Sequence, residues 1–259
     1  MTKRLYIIGN GFDRYHGINS SYYDFRDWMR DNICYDGEEI ESLFECDDLW
    51  KSFEENLALL RYDVLAREKT EENPPNVASE HFENTLSDAR CEVENLLEGW
   101  YEEVRKALPR WVRQLDRPNP DVRLMLNDKD SVFLTFNYTR TLEDLYGISD
   151  DVVLHVHGKD GDPWDGLLLG HGGNVSREHF EKPFHKVTKE DLEEGNVPDP
   201  NLELAESDAI QAGYHMVMKW EKPVHDKIAE FSEFFKDLSS VEEVFVLGLS
   251  FSMVDQAYI

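Results

Sequence analysis

Short apolar runs recur along the chain, and their residue types predict β-strands. Residues Arg4 to Ile8 form such a run and end at Gly9-Asn10-Gly11, which predicts a buried strand followed by a tight turn. Four later runs have the same character: Val132 to Phe136, Val152 to Val156, Leu167 to Leu169 and Val241 to Leu247. Most of these runs are continuously apolar instead of alternating, which is typical of parallel strands that are covered on both faces.

Between the first two strands, the apolar residues change to a helical period. The residues of a first stripe recur at spacings of three and four: Leu43, Cys46, Trp50, Phe53, Leu57, Leu60 and Val64. This spacing predicts one long amphipathic helix. A second stripe, from Phe82 to Val104, follows the breaker Asn73-Pro74-Pro75-Asn76, so we expect two long helices in an antiparallel hairpin. Two further helices are predicted over Ala209 to Trp220 and Val224 to Leu238, after a polar, acidic loop from Pro183 to Asp208.

These elements predict an α/β fold with a Rossmann-like, mostly parallel sheet and helices on both of its faces. The helical stretch after the first strand is unusually long, so we expect a large α-helical insertion there. The predicted domains are a nucleotide-binding core of residues 1–30 and 128–259 and an inserted α-helical subdomain of residues 31–127. Open α/β sheets bind ligands at the carboxyl ends of their strands, and we expect the site between the core and the insertion.

Composition narrows the classes of partner. The chain has 259 residues, of which 54 are acidic and 27 basic, so its formal charge is -27. The electric field of such a negative charge repels phosphate backbones and anionic lipids, so we expect no direct binding to nucleic acid or to a membrane. The apolar runs are too short to span a bilayer and Met1 to Arg14 lacks a signal-peptide core, so we expect a cytoplasmic protein. Cys34, Cys46 and Cys91 form no C-x-x-C pair, which predicts reduced thiols packed against helices and argues against disulfides and a zinc ribbon.

Two polar motifs directly follow predicted strands. In Gly9-Asn10-Gly11-Phe12-Asp13 the two glycines would let the backbone approach a phosphate closely, although the same pattern is also typical of a plain tight turn. Thr135-Phe136-Asn137-Tyr138-Thr139 places an amide and two hydroxyl groups at the end of a strand. Asn137 would bind a ribose hydroxyl or orient a water, or else cap the helix that begins near Thr141.

A third motif, His155-Val156-His157-Gly158, also ends a strand. Residues two apart in a strand face the same side, so both imidazoles are candidates for the cleft, and a histidine is a suitable general base near neutral pH. For His155 a buried structural role is at least as strong an interpretation as a catalytic one. For His157, which is followed by a glycine, we favour a functional role. An alternative is a metal-dependent hydrolase that uses His155, His157 and His171 with a carboxylate such as Asp160.

The order of these motifs resembles the bacteriophage abortive-infection AbiH family. The resemblance is carried by Ile7 to Asp13 with His16-Gly17 and Ser21 to Phe25, by Phe136 to Thr139, by His155 to Gly158, and by Leu247 to Ser250 with Asp255. It runs from residue 4 to residue 258 and implies a role in bacterial defence against phage, with a phage-derived or host trigger that the sequence does not identify.

More distantly, the same order of motifs is similar to the sirtuin-like NAD-binding fold. That resemblance implies a sirtuin-like core that binds NAD as substrate or ligand and hydrolyses it to nicotinamide and ADP-ribose. It implies that Asn137 holds the ribose or the attacking water and that His157 accepts a proton. The residues implied in binding are Gly9, Asn10, Gly11, Phe12, Asp13, His16, Arg26, Thr135, Thr139, Gly158, Gly248 and Ser250. Because the cysteine pairs of a sirtuin zinc module are missing, we expect no metal and no peptide deacetylation.

A rival hypothesis is a sensor that binds a nucleotide without turnover and signals through the helical insertion to a partner protein. Trp50 and Glu54, one helical turn apart, would then belong to a hinge or interface; otherwise Trp50 is a core residue and Glu54 a solvated one. The segment from Ser252 to Ile259 predicts the start of a helix of barely two turns, whereas similar chains usually continue. We therefore expect the sheet to lack a late strand or to be completed by another subunit, and a homo-oligomer.

Overall fold

The computed structural model describes residues 3–126, 129–163, 166–177 and 199–259. Within this part of the chain, four strands form one parallel sheet: β1 (Arg4–Ile8), β2 (Ser131–Thr135), β3 (Val153–His155) and β4 (Glu243–Leu247). Their order is β3-β2-β1-β4, and Ile8 at the end of β1 lies opposite Thr135 of β2 and Leu247 of β4. The α/β class and these four predicted strands are confirmed. The prediction of a strand over Leu167 to Leu169 is wrong, because Leu168 donates one backbone hydrogen bond to His157 but forms no ladder.

The described helices begin and end as follows: α1 (Asn10–Tyr15), α2 (Tyr22–Ile33), α3 (Glu38–Glu41), α4 (Phe53–Asn56), α5 (Tyr62–Glu72), α6 (Phe82–Val112), α7 (Thr141–Tyr146), α8 (Pro200–Met218), α9 (Val224–Glu230) and α10 (Ser232–Asp237). Short 3-10 turns occupy Leu49–Ser52, Leu57–Leu59, Asp150–Val152, Leu238–Ser240 and Gln256–Tyr258. None of the helices in the described part of the chain is long and apolar enough to cross a membrane.

Alternate residues of β1 point to opposite faces of the sheet, and each face has its own apolar cluster. Leu5 and Ile7 join a cluster that includes side chains of α9 and α10. Tyr6 and Ile8 join a second cluster with Phe12 of α1 and residues of α7. Helices therefore cover both faces of the sheet at its centre.

The edge strand β4 differs from the other three. Its residues Val244, Phe245 and Val246 are 57%, 40% and 40% exposed. The prediction that the strands are covered on both faces is therefore wrong for β4. Among the described residues, β4 pairs with β1 only.

A larger helical core lies beside the sheet. The buried side chains of α2, α5 and α6 pack with those of α8, and the cluster includes Leu97 and Trp220. Helix α6 confirms the predicted second stripe, and Pro109 is accommodated in its last turn. Because α8 follows β3 in the chain yet packs on helices that precede β2, the helical core combines both stretches. The domain boundaries near residues 31 and 127 stay a prediction.

The single long helix expected from Leu43 to Val64 is wrong, since this segment folds back on itself. The Glu45 amide donates to the Leu59 carbonyl and the Arg61 amide to the Leu43 carbonyl, which joins the two ends of the segment. Between them, the Asp48 side chain accepts a hydrogen bond from the Trp50 amide and so begins a 3-10 turn. The apolar residues of the stripe are buried, or partly buried in the case of Cys46 and Val64, because both limbs of the fold-back lie on the same core.

Three further expectations need correction. Helix α8 begins at Pro200, where Asp199 caps it, so residues 200–208 of the predicted loop are helical, and residues 183–198 lie outside the described part. The helix expected over Val224 to Leu238 is divided at Phe231 into α9 and α10. The three thiols are free, but Cys34 and Cys91 are exposed instead of packed against helices.

Candidate functional site

A cavity of about 520 Å³ opens at the carboxyl ends of the strands. The loops after all four strands contribute to its wall, through Gly9 to Gly11, Phe136 to Thr139, His157 and Leu249 to Ser252. Its opposite wall comes from the turn at Ser20 to Tyr23, the segment Trp50 to Glu55, and Trp111 and Leu115 near the end of α6. The topology of a parallel sheet thus brings residues from distant parts of the sequence to one site.

The glycines of the first motif serve the packing of two backbones. The Gly9 amide donates to the Leu247 carbonyl at 3.0 Å, and the Gly11 amide donates to the Gly248 carbonyl at 2.8 Å. A Cβ atom on Gly9 would lie 2.6 Å from the Leu249 Cα, and one on Gly11 would lie 2.8 Å from the Gly248 Cα. The turn after β1 therefore needs glycine to approach the turn after β4, and both amides already have protein acceptors. A phosphate at this turn stays a prediction.

Asp13 and Asn137 hold the same turn in place. The buried Asp13 carboxylate accepts hydrogen bonds from Thr139 Oγ1 at 2.6 Å and Thr141 Oγ1 at 2.8 Å. Burial raises the pKa of Asp13, although these hydroxyl donors oppose the shift. Asn137 Nδ2 donates to the Gly9 carbonyl at 3.1 Å. Asn137, Asp13 and Thr139 all contact the cavity, so their predicted ligand roles are compatible with these structural bonds.

Two of the histidines that the sequence singled out are buried with protein partners on both ring nitrogens. His155 has the Asn137 carbonyl oxygen at 3.1 Å from Nδ1 and Glu143 Oε1 at 3.0 Å from Nε2. His16 has the Phe12 carbonyl oxygen and the Tyr146 hydroxyl, each at 2.7 Å. The structural interpretation of His155 agrees with this geometry.

Several residues predicted for binding do not line the cavity: Phe12, His16, Arg26, Thr135, Gly158 and Gly248. Arg26 lies on the surface, paired with Asp27. Thr135 Oγ1 accepts a hydrogen bond from the Asn137 amide, and Gly248 and Phe12 pack behind the glycine turn. Thr135, Gly248 and Phe12 therefore act on the site through the residues that they position. The other predicted residues, including His157 and Ser250, lie in the wall of the cavity.

His157 belongs to a buried ionisable cluster. Its Nε2 lies 3.4 Å from Asp255 Oδ1, and the Lys222 Nζ lies 3.2 Å from Nε2 and 3.4 Å from Nδ1. Burial and the Lys222 ammonium together hold the pKa of His157 well below 6.5. Both effects favour the neutral form of His157.

Lys222 is the cation at the centre of this cluster. Its side chain is fully buried, and its Nζ lies 2.6 Å from Glu54 Oε1, whose side chain is 13% exposed. Burial raises the pKa of Asp255 to about 7, while Lys222 opposes the shift and Glu54 and Glu55 add to it. Burial also raises the pKa values of Tyr22 and Tyr138 well above 10. Glu54 and Asp255 thus both line the cavity, and the buried Lys222 ammonium contacts Glu54 and His157.

The position of Lys222 depends on His171. The Lys222 amide donates to the His171 carbonyl at 2.9 Å, and the His171 amide donates to the Trp220 carbonyl at 3.0 Å. The His171 ring is also occupied, with the Val217 carbonyl oxygen 2.9 Å from Nε2 and the Gly173 amide donating to Nδ1. The structure therefore does not bring His155, His157 and His171 together as ligands of one metal. Among the described residues, no group of three or more His, Cys, Asp or Glu side chains could hold a metal ion.

Sequence reasoning missed Glu54 and Lys222 as site residues. The sequence indicates Glu54 only as part of a hinge or interface or as a solvated residue, and nothing in the local sequence around Lys222 marks it. Trp50 is a core residue, which agrees with the structural alternative stated for it, and it also lines the cavity. Asp255 had one signal, since it belongs to the last motif of the family resemblance.

The fold and the cavity define an α/β protein with a ligand-sized site at the carboxyl edge of a parallel sheet, bordered by a buried ionisable cluster. A model of the bacteriophage abortive infection AbiH family matches residues 5–259 of the chain. The chain belongs to this family, which implies a role in abortive-infection defence against phage. No curated protein and no solved structure matches the chain. The resemblance to the sirtuin-like fold has no counterpart in these comparisons and stays a prediction.

Proposed function

We propose that the protein acts in abortive infection by binding NAD in this cavity and hydrolysing it to nicotinamide and ADP-ribose. In this proposal the sheet is a Rossmann-like, sirtuin-like core with a helical insertion between β1 and β2. The protein acts in the cytoplasm and responds to a phage-derived or host trigger. The observation that carries the proposal is the His157–Asp255 pair, which lies in the wall of a ligand-sized cavity beside Asn137.

The lining of the cavity suits the parts of NAD. Its volume of about 520 Å³ is typical of sites for small molecules. Aromatic rings of Tyr22 and Tyr138 offer surfaces for the nicotinamide or adenine ring. Arg14 and Lys51 are cations in the wall that would attract the pyrophosphate. Glu54 is an anion that would favour the cationic nicotinamide end.

The chemistry needs few protein groups. The bond between the ribose and the nicotinamide ring breaks through an oxocarbenium-like centre, which a nearby carboxylate stabilises. Nicotinamide leaves as a neutral molecule and therefore needs no acid. The attacking water must lose a proton, and the His157–Asp255 pair supplies two acceptors for it.

A nucleotide sensor is the second candidate, and one observation favours it. The segment Trp50 to Glu55 lines the cavity and also belongs to the helical core, where Trp50 stacks on Phe53 with ring centroids 4.4 Å apart. A ligand that contacts this segment would change the packing of the helices without any turnover. The signal would then pass to a partner protein.

Chromatography of NAD incubated with the purified protein tests the proposal, with and without lysate from phage-infected cells. We expect nicotinamide and ADP-ribose from the wild type, and loss of both products and of phage protection in His157→Ala and in Asn137→Ala. His215→Ala, which removes an exposed histidine, is the matched control and should retain activity. Turnover that survives in both site variants would place the reaction elsewhere, whereas binding of NAD without turnover would favour the sensor.

A further inference from the structure

Two buried histidine–carboxylate pairs lie close to the glycine turn, and they differ in their access to the cavity. His155 and Glu143 contact each other at 3.0 Å and lie outside the cavity wall. His157 and Asp255 are 3.4 Å apart, and both line the cavity. Asp255 Oδ1 and Glu143 Oε2 are both buried without a hydrogen-bond donor among the described residues, but of the two only Asp255 lines the cavity. The second pair is therefore the one whose unused acceptor can take a hydrogen bond from a ligand or water in the cavity.

Burial makes the two members of this pair unequal, and Lys222 adds to its effect on His157. Its ammonium lies within 3.4 Å of both ring nitrogens of His157, so a second proton on the ring would place two cations in contact inside the protein. The same ammonium also favours a negative charge on Asp255, but burial outweighs it and raises the pKa of that carboxyl group. Burial and Lys222 therefore both oppose protonation of the histidine, whereas the carboxyl group, whose Oδ1 has no donor among the described residues, remains able to accept a proton.

We propose that Asp255 is the proton acceptor of the hydrolysis and that Lys222 is a positioning residue that keeps His157 neutral beside it. This assignment rests on the proposed function. In the step, the water oxygen forms a bond to the ribose carbon while the carbon–nitrogen bond breaks and its electron pair goes to the nicotinamide nitrogen. The water proton passes to Asp255, which later releases it to solvent.

The surroundings of Asp255 support the assignment. The charged and titratable groups that face it are Lys222, Glu54, Glu55, His157, Tyr138 and Tyr258. Burial raises the pKa of Asp255 to about 7, so it is about half ionised at neutral pH and is well matched to accept a proton there. The pKa of His157 lies well below 6.5, which makes it a poor acceptor.

The first test uses no NAD and follows carboxyl and imidazole signals by NMR across pH 4 to 9. We expect one carboxyl signal that titrates near pH 7 and is missing in Asp255→Asn, and a His157 signal that does not titrate above pH 6. Because Lys222→Met alone leaves Glu54 buried without its cation, the informative variant is Lys222→Met with Glu54→Gln. His157 should titrate at higher pH in that double variant.

Controls separate the electrostatic role of Lys222 from a general loss of structure. Lys222→Arg should keep the wild-type titrations, and Lys227→Met, which removes an exposed lysine paired with Glu230, should leave them unchanged. An Asp255 signal that titrates near pH 4, or a His157 signal near pH 6.5 in the wild type, would overturn the assignment.

The second test is the pH profile of NAD hydrolysis. We expect the rate to fall on the acid side with a midpoint near pH 7, and to drop by about 100-fold or more in Asp255→Asn. His157→Gln should be slower but keep the same midpoint. A wild-type midpoint well below pH 6.5, or an unchanged rate in Asp255→Asn, would return the role of acceptor to His157. If NAD is not hydrolysed but the NMR titrations are as expected, the proposed function is refuted, whereas the inferred charge states of Asp255 and His157 still hold.

Discussion

Replacing Gly248 by alanine tests whether backbone packing requires the glycines around the cavity. Gly248 has φ +67, and a Cβ atom there would lie 2.2 Å from the Phe12 amide nitrogen and 2.5 Å from the Gly11 carbonyl carbon. Both are backbone atoms of the first turn of α1, so no side-chain rotation relieves the contact. The two turns would have to move apart.

The size of the effect follows from two separate causes. An L-residue in the left-handed region costs about 1–2 kcal/mol. Inserting a methyl group against packed atoms costs about 1–3 kcal/mol more. We therefore expect Gly248→Ala to lower the free energy of unfolding by about 2–5 kcal/mol. For a chain of this size, that loss corresponds to a fall in Tm of about 4–20 °C.

Gly147→Ala is the matched control, because the chain offers a second glycine of the same conformation. Gly147 has φ +68, and a Cβ atom there would have no neighbour within 4 Å. It should lose only the conformational contribution of about 1–2 kcal/mol. Urea unfolding and calorimetry of both variants give the difference. Equal losses in the two variants would refute the packing argument and favour a ligand as the reason for glycine at this turn.

Three further predictions follow from burial and charge. Because the pKa of Asp255 is raised from 3.8 to about 7, the wild type should lose stability relative to Asp255→Asn as pH rises from 4 to 7, by up to about 4 kcal/mol in urea unfolding; a pH-independent difference would contradict the shift. Leu97→Ala in the helical core should lower the free energy of unfolding by about 2–5 kcal/mol, whereas the half-exposed Leu204→Ala should change it by at most about 0.5 kcal/mol. His155→Gln removes the partner of buried Glu143 and should cost about 1–3 kcal/mol, measured by the same unfolding assay; an unchanged midpoint would show that the pair is not required.

The strands were predictable from the sequence because parallel strands need continuous apolar runs, and four of the five predicted runs form the sheet. The structure of the segment from Leu43 to Val64 was not predictable, although its apolar spacing fits a helix. A chain that folds back and buries both limbs on one core can show the same spacings of three and four. The hydrogen bond from the Glu45 amide to Leu59 that closes the fold-back joins residues whose pairing no local pattern indicates.

Some residues of the site could likewise be predicted from local sequence patterns, whereas others depend on tertiary pairing. His157 and Asn137 were predictable because each follows a strand, and the parallel sheet brings strand ends to one edge. Lys222 has no such signal, because its place depends on backbone pairing with His171, which the sequence offered as a metal ligand. In the structure His171 helps to hold the segment that carries the buried cation. A histidine that does not line the cavity thereby contributes to the charge balance beside His157, and this link exists only in the folded chain.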